Sequence, residues 1–271
     1  MKPPAISVII TTFNRPALLS AAMQSVLCQT CPDFELIVVN DCSGPETSRV
    51  LAACADPRLR HLRNGENRGS AKSLNIGLCA ARGEYIAILD DDDLWLSPLK
   101  LEHQLAHMRG NPACVLLATN IIVTDASTGE ELIRSYWHGD DAALRARLLR
   151  ENMFAHSSVM YRRVEALKAG GYDLSLERGK DFDLWLKLAR LGQIAILPGM
   201  YVQYREQGFA QRNVFEVKKR DCRAELRILA RHGGHYPGFL AAYAATLARY
   251  CTVATLAAVR AAFLRLRPGG A

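Results

Sequence analysis

Four consecutive aspartates at residues 90–93 are the side chains of this sequence that most directly predict chemistry. They follow an apolar run at residues 85–89 that is typical of a buried strand. Neighbouring carboxylates near a surface repel one another by roughly 1–4 kcal/mol per close pair unless a cation lies between them. Because alternate residues of an extended chain point to one side, Asp90 and Asp92 are expected to converge on one ligand.

A small set of hard oxygen ligands favours Mg²⁺ or Mn²⁺ that also holds substrate phosphates. A metal ion in this place would neutralise a departing diphosphate and assist its departure. The alternative is a solvated acidic turn before the helix that Ser97 and Pro98 begin. The position directly after a buried strand favours the metal–diphosphate site.

The elements around the acidic run predict a parallel sheet. Residues 6–10 and 34–39 read as buried strands, and apolar residues at helical spacing after Pro16 join them in a βαβ unit. A second round has helices at residues 46–54 and 70–81 and strands at residues 59–62 and 85–89. This alternation predicts an α/β fold with a doubly wound, mostly parallel sheet flanked by helices.

The ligand of such a sheet lies outside the carboxyl ends of the strands, where the strand order reverses. Three polar clusters follow strands in this way, at residues 11–14, 40–41 and 90–93. The Asp41 carboxylate can accept hydrogen bonds from a base or ribose, or it can cap the turn through Ser43 and Gly44. The placement of these clusters is the one that a ligand site at this edge requires.

The rest of the chain predicts one large domain and a helical tail. A strand is expected at residues 115–123, then an irregular stretch and a helix up to residue 152. Another helix at residues 181–190 and short strands at residues 194–197 and 201–204 would complete the domain. We therefore place one domain at residues 1–214, with a donor half (about 1–110) and an acceptor half (about 111–214), and a basic helical tail at residues 215–271.

The net charge of +7 lies entirely in that tail. Residues 1–214 carry 24 Lys/Arg and 24 Asp/Glu, whereas residues 215–271 carry 10 and 3. The balance argues against a nucleic-acid groove in the main domain and for a tail that meets an anionic surface such as phospholipid, or that is a solvated basic helix. The apolar stretches of its second helix, residues 239–266, are short for a membrane span, so lying on a membrane is favoured.

Cysteine usage and the chain start indicate a cytoplasmic protein. The eight cysteines are scattered, and only Cys28 and Cys31 form a CxxC pair, without a second pair to complete a zinc site. The apolar run near the start is too short for a secretory signal. We expect reduced cysteines and a cytoplasmic location, with peripheral contact of the tail at the cytoplasmic face of the inner membrane.

Four segments match a known family in order. SVIITTFNRP (7–16), QTCPDFELIVVNDCS (29–43), NRGSAKSLNIGL (67–78) and GEYIAILDDDDLW (83–95) resemble the inverting family 2 glycosyltransferases of the GT-A fold. The resemblance implies transfer of a sugar from a nucleotide-diphosphate sugar, most often a UDP-sugar. The acceptor would be a hydroxyl of a glycan or lipid-linked glycan, in a setting such as surface polysaccharide or glycolipid synthesis.

The resemblance also implies roles for single residues. Contacts to the nucleoside would come from Thr11, Thr12, Phe13 and Asp41. The neighbours of the nucleotide and its phosphates would be Asn67, Arg68 and Lys72. In the acidic run, Asp90 would lie near the ribose or sugar and Asp92 on the Mg²⁺ or Mn²⁺ ion. Asp91 and Asp93 share these roles, because four aspartates leave the register open.

RGKDFDLWLKLARLG (178–192) resembles the family segment that supplies the general base, which makes Asp181 the residue that takes the acceptor proton. A helix N-cap is its alternative role. The chain departs from the family pattern at three places: Lys180 replaces a carboxylate, Cys42 follows Asp41, and Gln207 stands where a metal-binding histidine is usual. These departures motivate a second hypothesis, a nucleotide-sugar-binding module that is catalytically impaired.

Overall fold

The computed structural model describes residues 3–135, 137–206 and 214–266. Its strands are β1 (Ile6–Thr12), β2 (Phe34–Asn40), β3 (Leu59–Arg63), β4 (Tyr85–Ile88), β5 (Leu94–Trp95), β6 (Cys114–Asp125), β7 (Glu131–Ser135), β8 (Met160–Arg162) and β9 (Gln193–Glu206). Its α-helices are α1 (Pro16–Leu27), α2 (Pro45–Ala53), α3 (Ser70–Ala80), α4 (Lys100–Gly110), α5 (Asp141–Leu148), α6 (Arg163–Lys168), α7 (Lys180–Ala189), α8 (Val214–His232) and α9 (Phe239–Leu266).

The strands form one mixed sheet in the order β3-β2-β1-β4-β8-β6-β9-β5, with β7 paired to β6. The predicted parallel, doubly wound arrangement is found in its first half, where β1 pairs in parallel with both β2 and β4, and β2 with β3. The second half departs from it, because β8 runs antiparallel to both β4 and β6 while β6 and β9 are parallel. The strand order reverses at β1, between β2 and β4, which locates the predicted ligand edge.

Alternating residues of the central strands fill two cores, one on each face of the sheet. In β1, Ile9 packs into the core beneath α3 and α7, whereas Val8 and Ile10 pack into the core beneath α1 and α4. All three side chains are fully buried. Burial on both faces explains why β1 and β2 read as continuous apolar runs, and it holds their carboxyl ends rigidly in one place.

The segment at residues 125–152 is more regular than the sequence predicted. Strand β6 extends to Asp125 and forms a hairpin with β7, and α5 follows at Asp141–Leu148. The N-cap of α5 is Asp140, whose carboxylate accepts a hydrogen bond from the backbone N–H of Ala143. The sequence of β7 is polar and alternates only weakly, so it does not predict a strand. Pairing with β6 stabilises this strand.

Two long helices form the tail, and they are separated at a pair of glycines. A short 3-10 turn at Gly233–His235 separates α8 from α9. Helix α8 is attached to the domain through Ile228 and Leu229, which are buried in the core around α7, and through His232, whose Nε2 lies 2.7 Å from Oδ1 of the buried Asp183. The tail therefore packs on the domain and does not project from it.

Helix α9 is continuous, and this corrects the expectation that its apolar stretches are too short for a membrane span. Residues Phe239–Ala258 have a mean hydropathy of 1.2 and are long and apolar enough, by length and composition, to cross a membrane. Only 17% of this apolar stretch is buried. One such helix is weak evidence for a span. On this helix, Arg249 pairs with Glu225 of α8.

Candidate active site

Asp41, at the end of β2, organises the loop that precedes α3. Its Oδ1 accepts hydrogen bonds from Asn64 Nδ2 (2.7 Å) and the backbone N–H of Arg68 (2.9 Å), and its Oδ2 accepts one from the backbone N–H of Gly69 (2.8 Å). Gly69 has a φ of 78°, in the left-handed region that glycine favours. Burial acts to raise the pKa of Asp41, but these hydrogen bonds outweigh it and hold the pKa below its usual value.

The alternative role of Asp41, capping the turn after β2, is wrong. The backbone N–H of Ser43 donates to Asn40 Oδ1, and that of Gly44 donates to Asn14 Oδ1, both at 2.8 Å. Asp41 instead connects the end of β2 to the loop at residues 64–69. Its anionic carboxylate lines the cleft at the strand reversal.

The end of β1 contacts the acidic run directly. Thr12 Oγ1 donates to Asp91 Oδ2 at 2.7 Å. Arg15 Nη1 lies 3.0 Å from Asp91 Oδ1 and 2.7 Å from Asp92 Oδ2, so one guanidinium bridges two carboxylates and offsets part of their charge. Phe13 is 43% exposed, which leaves its ring available to a ligand. Sequence reasoning named the residues on either side of Arg15 but missed Arg15 itself.

The four aspartates do not follow the alternation expected of an extended chain. Strand β4 ends at Ile88, and the backbone N–H of Asp93 donates to the carbonyl of Asp90 across a turn. As a result Asp90, Asp91 and Asp92 all line the cleft. Asp90 and Asp92 were expected to point to one side, and they do line the same cleft. A turn puts them there, and not the alternation of an extended strand.

Asp93 is buried away from the cleft. Ser157 Oγ donates to Asp93 Oδ2 at 2.5 Å, and the backbone N–H of Arg205 donates to Asp93 Oδ1 at 2.9 Å. Burial, followed by the nearby Asp90 carboxylate, raises the pKa of Asp93 well above its usual value. The geometry thus favours Asp92 over Asp93 as a metal ligand. Asp93 instead fixes the conformation of the loop through its hydrogen bonds.

Asp90 is held by His156, which lies in a 3-10 turn just before β8. His156 Nδ1 lies 2.9 Å from Asp90 Oδ1, and its Nε2 lies 3.0 Å from the Tyr172 hydroxyl. Burial acts to raise the pKa of Asp90, and the His156 ring, Lys180 and Arg15 lower it below the usual value. Asp90 therefore faces the cleft as a carboxylate with a fixed orientation.

The floor beneath the acidic loop is built by α4 and by Trp95. Trp95 Nε1 donates to the carbonyl of Ser157 at 2.9 Å. Lys100, which is fully buried, lies with its Nζ 4.1 Å from the centre of the Trp95 ring and donates to Gln104 Oε1 at 2.7 Å. Burial lowers the pKa of Lys100 well below its usual value.

Two adjoining pockets make up the cleft. One of about 390 Å³ lies between Asp41 and the acidic loop, and its walls also hold Thr11, Thr12, Phe13 and Tyr204. The other, of about 730 Å³, contains Asn67, Arg68 and Lys72. Ser70 and Lys180 line both pockets. All the predicted nucleotide-binding residues therefore meet at one site.

Asp181 lies at the start of α7, next to Lys180, and its side chain is not among those lining either pocket. Its Oδ2 accepts a hydrogen bond from Asn152 Nδ2 at 2.8 Å. The N-cap of α7 is Gly179, so the alternative role of Asp181 as a helix N-cap is wrong. The geometry puts Asp181 beside the cleft, next to Lys180, which lines it.

The donor set suits a divalent cation that keeps water and substrate ligands. Within the described ranges no group of three His, Cys, Asp or Glu side chains could hold a metal ion by itself. Asp90 and Asp92 offer hard carboxylate oxygens in small number, and Mg²⁺ in proteins is held by one or two carboxylates together with substrate phosphates. The residues fit such an ion. Gln207, the residue in the position of a metal-binding histidine, lies outside the described residues.

The chain is similar to known glycosyltransferases. Residues 7–171 match the family described as glycosyl transferase family 2. The amylovoran biosynthesis glycosyltransferase AmsE of Erwinia amylovora is 30% identical over 208 residues, covering 73% of this chain and 75% of that protein. The putative colanic acid biosynthesis glycosyl transferase WcaA of Escherichia coli is 29% identical over 189 residues, covering 68% of this chain and 66% of that protein.

Solved structures share the fold at low sequence identity. TarS 1-349 of S. aureus in complex with UDP-GlcNAc superposes with a TM-score of 0.71 at 18% identity, covering 91% of this chain and 72% of that one. The mannosyltransferase PcManGT from Pyrobaculum calidifontis, in complex with GDP-Man and Mn²⁺, gives a TM-score of 0.63 at 19% identity, covering 98% and 82%.

Fold, cleft and relatives together define a glycosyltransferase of the GT-A type. More specifically, the chain belongs to glycosyl transferase family 2.

Proposed function

We propose that the protein transfers a sugar from a UDP-sugar to an acceptor hydroxyl with inversion, in the presence of Mg²⁺ or Mn²⁺. The observation that carries this proposal is the convergence of Asp41, Asp90, Asp91 and Asp92 on one cleft at the strand reversal. Asp41 faces the cleft across from the acidic loop, which suits a nucleoside at one end and a diphosphate at the other. The UDP-GlcNAc and Mn²⁺ complexes of the two structural neighbours support the same ligand class.

Each end of the donor has a set of candidate partners. Thr11, Thr12, Phe13 and Asp41 would contact the nucleoside, and Asn67, Arg68 and Lys72 would lie along the phosphates. Asp90 and Asp92 would hold the divalent cation, which supplies charge neutralisation of the leaving diphosphate. Lys180, which lines both pockets, adds a positive charge between them.

Asp181 is the proposed general base. Its carboxylate would take the proton of the acceptor hydroxyl while the acceptor oxygen bonds to the anomeric carbon and the bond from that carbon to the diphosphate breaks. A single in-line displacement of this kind inverts the anomeric centre. The hydrogen bond from Asn152 Nδ2 orients one carboxylate oxygen and leaves the other to accept a proton.

The replacement Asp181→Asn separates an enzyme from a binding module that does not catalyse. We expect sugar transfer, measured as UDP release from a UDP-sugar in the presence of acceptor and Mn²⁺, to fall by about 10²-fold or more, since general base catalysis contributes on this order. UDP affinity should remain within about twofold, because Asp181 does not line the donor pocket. An unchanged turnover would favour the catalytically impaired module.

We also propose a role in the synthesis of a surface polysaccharide, with a glycan or lipid-linked glycan as acceptor. The support comes from the relatives named for amylovoran and colanic acid biosynthesis. A cytoplasmic enzyme that reaches such an acceptor needs contact with the inner membrane, and the tail offers a surface for it. Leu240, Leu247 and Leu256 of α9 are exposed, and the tail carries the whole net positive charge.

Membrane contact through α9 is tested by changing its exposed leucines. The double variant Leu240→Glu/Leu247→Glu removes apolar area and adds negative charge at positions that are 79% and 44% exposed, so the fold should be kept. We expect wild-type protein to sediment with phosphatidylglycerol vesicles in a salt-sensitive way and the variant to stay in solution. Equal sedimentation of the two proteins would rule out this contact.

A further inference from the structure

A pocket lined by four arginines adjoins the donor cleft. It has a volume of about 460 Å³, and its arginines are Arg178, Arg220, Arg223 and Arg227. Leu176 and Glu177 line both this arginine pocket and the larger cleft pocket that contains Lys72 and Lys180. Adjoining pockets therefore run from the acidic loop to the arginine pocket, with Lys72 and Lys180 along them and Glu177 at the junction.

The spacing of these arginines on α8 is not explained by the helix itself. Arg220, Arg223 and Arg227 lie at positions i, i+3 and i+7, which puts them on one face. Like charges at such spacings destabilise a helix. An arrangement of this kind is favoured when the face binds an anion.

The acidic residues nearby offset only part of the positive charge of the pocket. Asp221 pairs with Arg178 at 2.5 Å, and Glu225 pairs with Arg249 of α9. Glu177 is the one acidic side chain of the lining. Arg223 Nη2 donates to the Tyr250 hydroxyl at 3.1 Å.

Arg220 and Arg227 are exposed on α8, and neither forms an ion pair with another residue in the described part of the chain. Two guanidinium groups therefore face the pocket without a carboxylate. Guanidinium groups bind phosphate oxygens through paired hydrogen bonds.

We propose that the arginine pocket binds the phosphate or diphosphate group of the acceptor substrate. This proposal rests on the function proposed above, and it adds the chemical class of the acceptor. The donor diphosphate belongs to the acidic loop, and the arginine pocket shares no lining residue with the pocket around that loop. An anion bound at the arginines is thus a second one, on the Lys180 side of the cleft where Asp181 begins α7.

The shape of the pocket also favours a phosphate group over a bilayer surface. It is concave, and Leu176 and Ala224 are its apolar lining residues. The exposed leucines of α9 that could contact a membrane are not part of it. A carrier-linked glycan would place its linking phosphate here and extend its sugar hydroxyl towards the donor.

The test is calorimetry with inorganic pyrophosphate as the probe, on the full chain in EDTA so that the metal site does not contribute. The double variant Arg220→Gln/Arg227→Gln removes the two unpaired guanidinium groups from exposed positions. The matched control, Arg49→Gln/Lys168→Gln, removes two exposed charges that do not line any of the cleft pockets. We expect the first variant to bind pyrophosphate at least about tenfold more weakly than wild type and the control to change by less than about twofold.

Two further titrations separate the possible failures. UDP with Mn²⁺ should bind wild type and both variants equally, because the arginines lie outside the donor pocket. Equal pyrophosphate affinity in all three proteins would overturn the arginine pocket while leaving the donor site intact. Wild-type protein that binds pyrophosphate but not UDP would overturn the donor function and with it the acceptor assignment.

Phosphatidylglycerol vesicles distinguish a lipid headgroup in a bilayer from a soluble phosphate. If the Arg220→Gln/Arg227→Gln variant loses vesicle binding but keeps its pyrophosphate affinity, the arginines contact membrane and the proposal is wrong. Loss of pyrophosphate affinity with vesicle binding retained supports it.

Discussion

Each of the four aspartates in the acidic loop has a different environment, and the role of each follows from that environment. Asp90 is oriented by His156, Asp91 accepts from Thr12, Asp92 pairs with Arg15, and Asp93 is buried against Ser157. Burial, partly offset by Thr12 and Arg15, also raises the pKa of Asp91. The most accessible pair of carboxylates for a cation is therefore Asp90 and Asp92.

Arg15 supplies a positive charge to the acidic loop in the absence of a metal ion. Its guanidinium lies 2.7 Å from Asp92 Oδ2, so a divalent ion that binds this carboxylate competes with it. We expect Arg15→Gln to tighten Mn²⁺ binding in the absence of nucleotide by roughly three- to tenfold, the size of one partly exposed charge interaction. Electron paramagnetic resonance of free Mn²⁺ measures this, with Arg49→Gln as the control. Weaker Mn²⁺ binding in Arg15→Gln would contradict the competition.

Helix α4 supports the loop from below through a buried lysine. Within the described residues no carboxylate lies within ion-pair distance of Lys100 Nζ, which contacts the Trp95 ring and Gln104. Gln104 in turn donates to the carbonyl of Ser158, beside the residue that holds Asp93. The helix thus fixes the site through its polar face, although a buried ammonium group disfavours folding.

The lowered pKa of Lys100 predicts a pH dependence of stability. The unfolded chain holds the Lys100 proton below pH about 10.4 and the folded chain binds it more weakly, so its contribution is full above that pH and is lost as the pH falls. We expect Lys100→Met to be more stable than wild type at pH 7, and the difference to shrink by roughly 1 kcal/mol or more by pH 10. Urea unfolding at both pH values measures it. A difference that does not change with pH would show that Lys100 is charged in the folded protein.

The first half of the sheet was predictable because its signals are local. The apolar runs that became β1, β2 and β4 are buried on both faces, and each ends in a polar cluster that the sequence displays directly. The parallel pairing of these strands then brings Asp41 and the aspartates together without further information. The location of the predicted nucleotide-binding residues at this edge followed from the same reasoning.

The parts that sequence reasoning missed depend on contacts between distant segments. Ser157 reaches the acidic loop because β8 pairs antiparallel with β4. The hydrophobic pattern of the sequence does not predict that pairing. The same is true of Asn64, whose hydrogen bond to Asp41 depends on how the loop before α3 folds back. The different roles of the four aspartates could not be predicted from the sequence, because the four residues are of one type.

Across the whole molecule, the tail completes one wall of the proposed acceptor site. Helix α8 is anchored by His232 to Asp183 of α7, the helix that also begins with Lys180 and Asp181. Burial acts to raise the pKa of Asp183, and the hydrogen bond with His232 and the ion pair with Lys187 lower it below the usual value. The buried carboxylate thus fixes the arginine pocket relative to the proposed general base.

The most direct test of the donor site is calorimetric titration of UDP into the protein with saturating Mn²⁺ and again in EDTA, using wild type, Asp92→Asn and Asp93→Asn. We expect UDP to bind wild type and Asp93→Asn with Mn²⁺, since an asparagine can accept from the Arg205 N–H and donate to Ser157 in place of Asp93. Binding should weaken at least about tenfold in EDTA or in Asp92→Asn, the loss expected when a metal–phosphate contact is removed. UDP that binds equally well with and without the metal ion, or not at all, would contradict a cation-bridged diphosphate at the acidic loop.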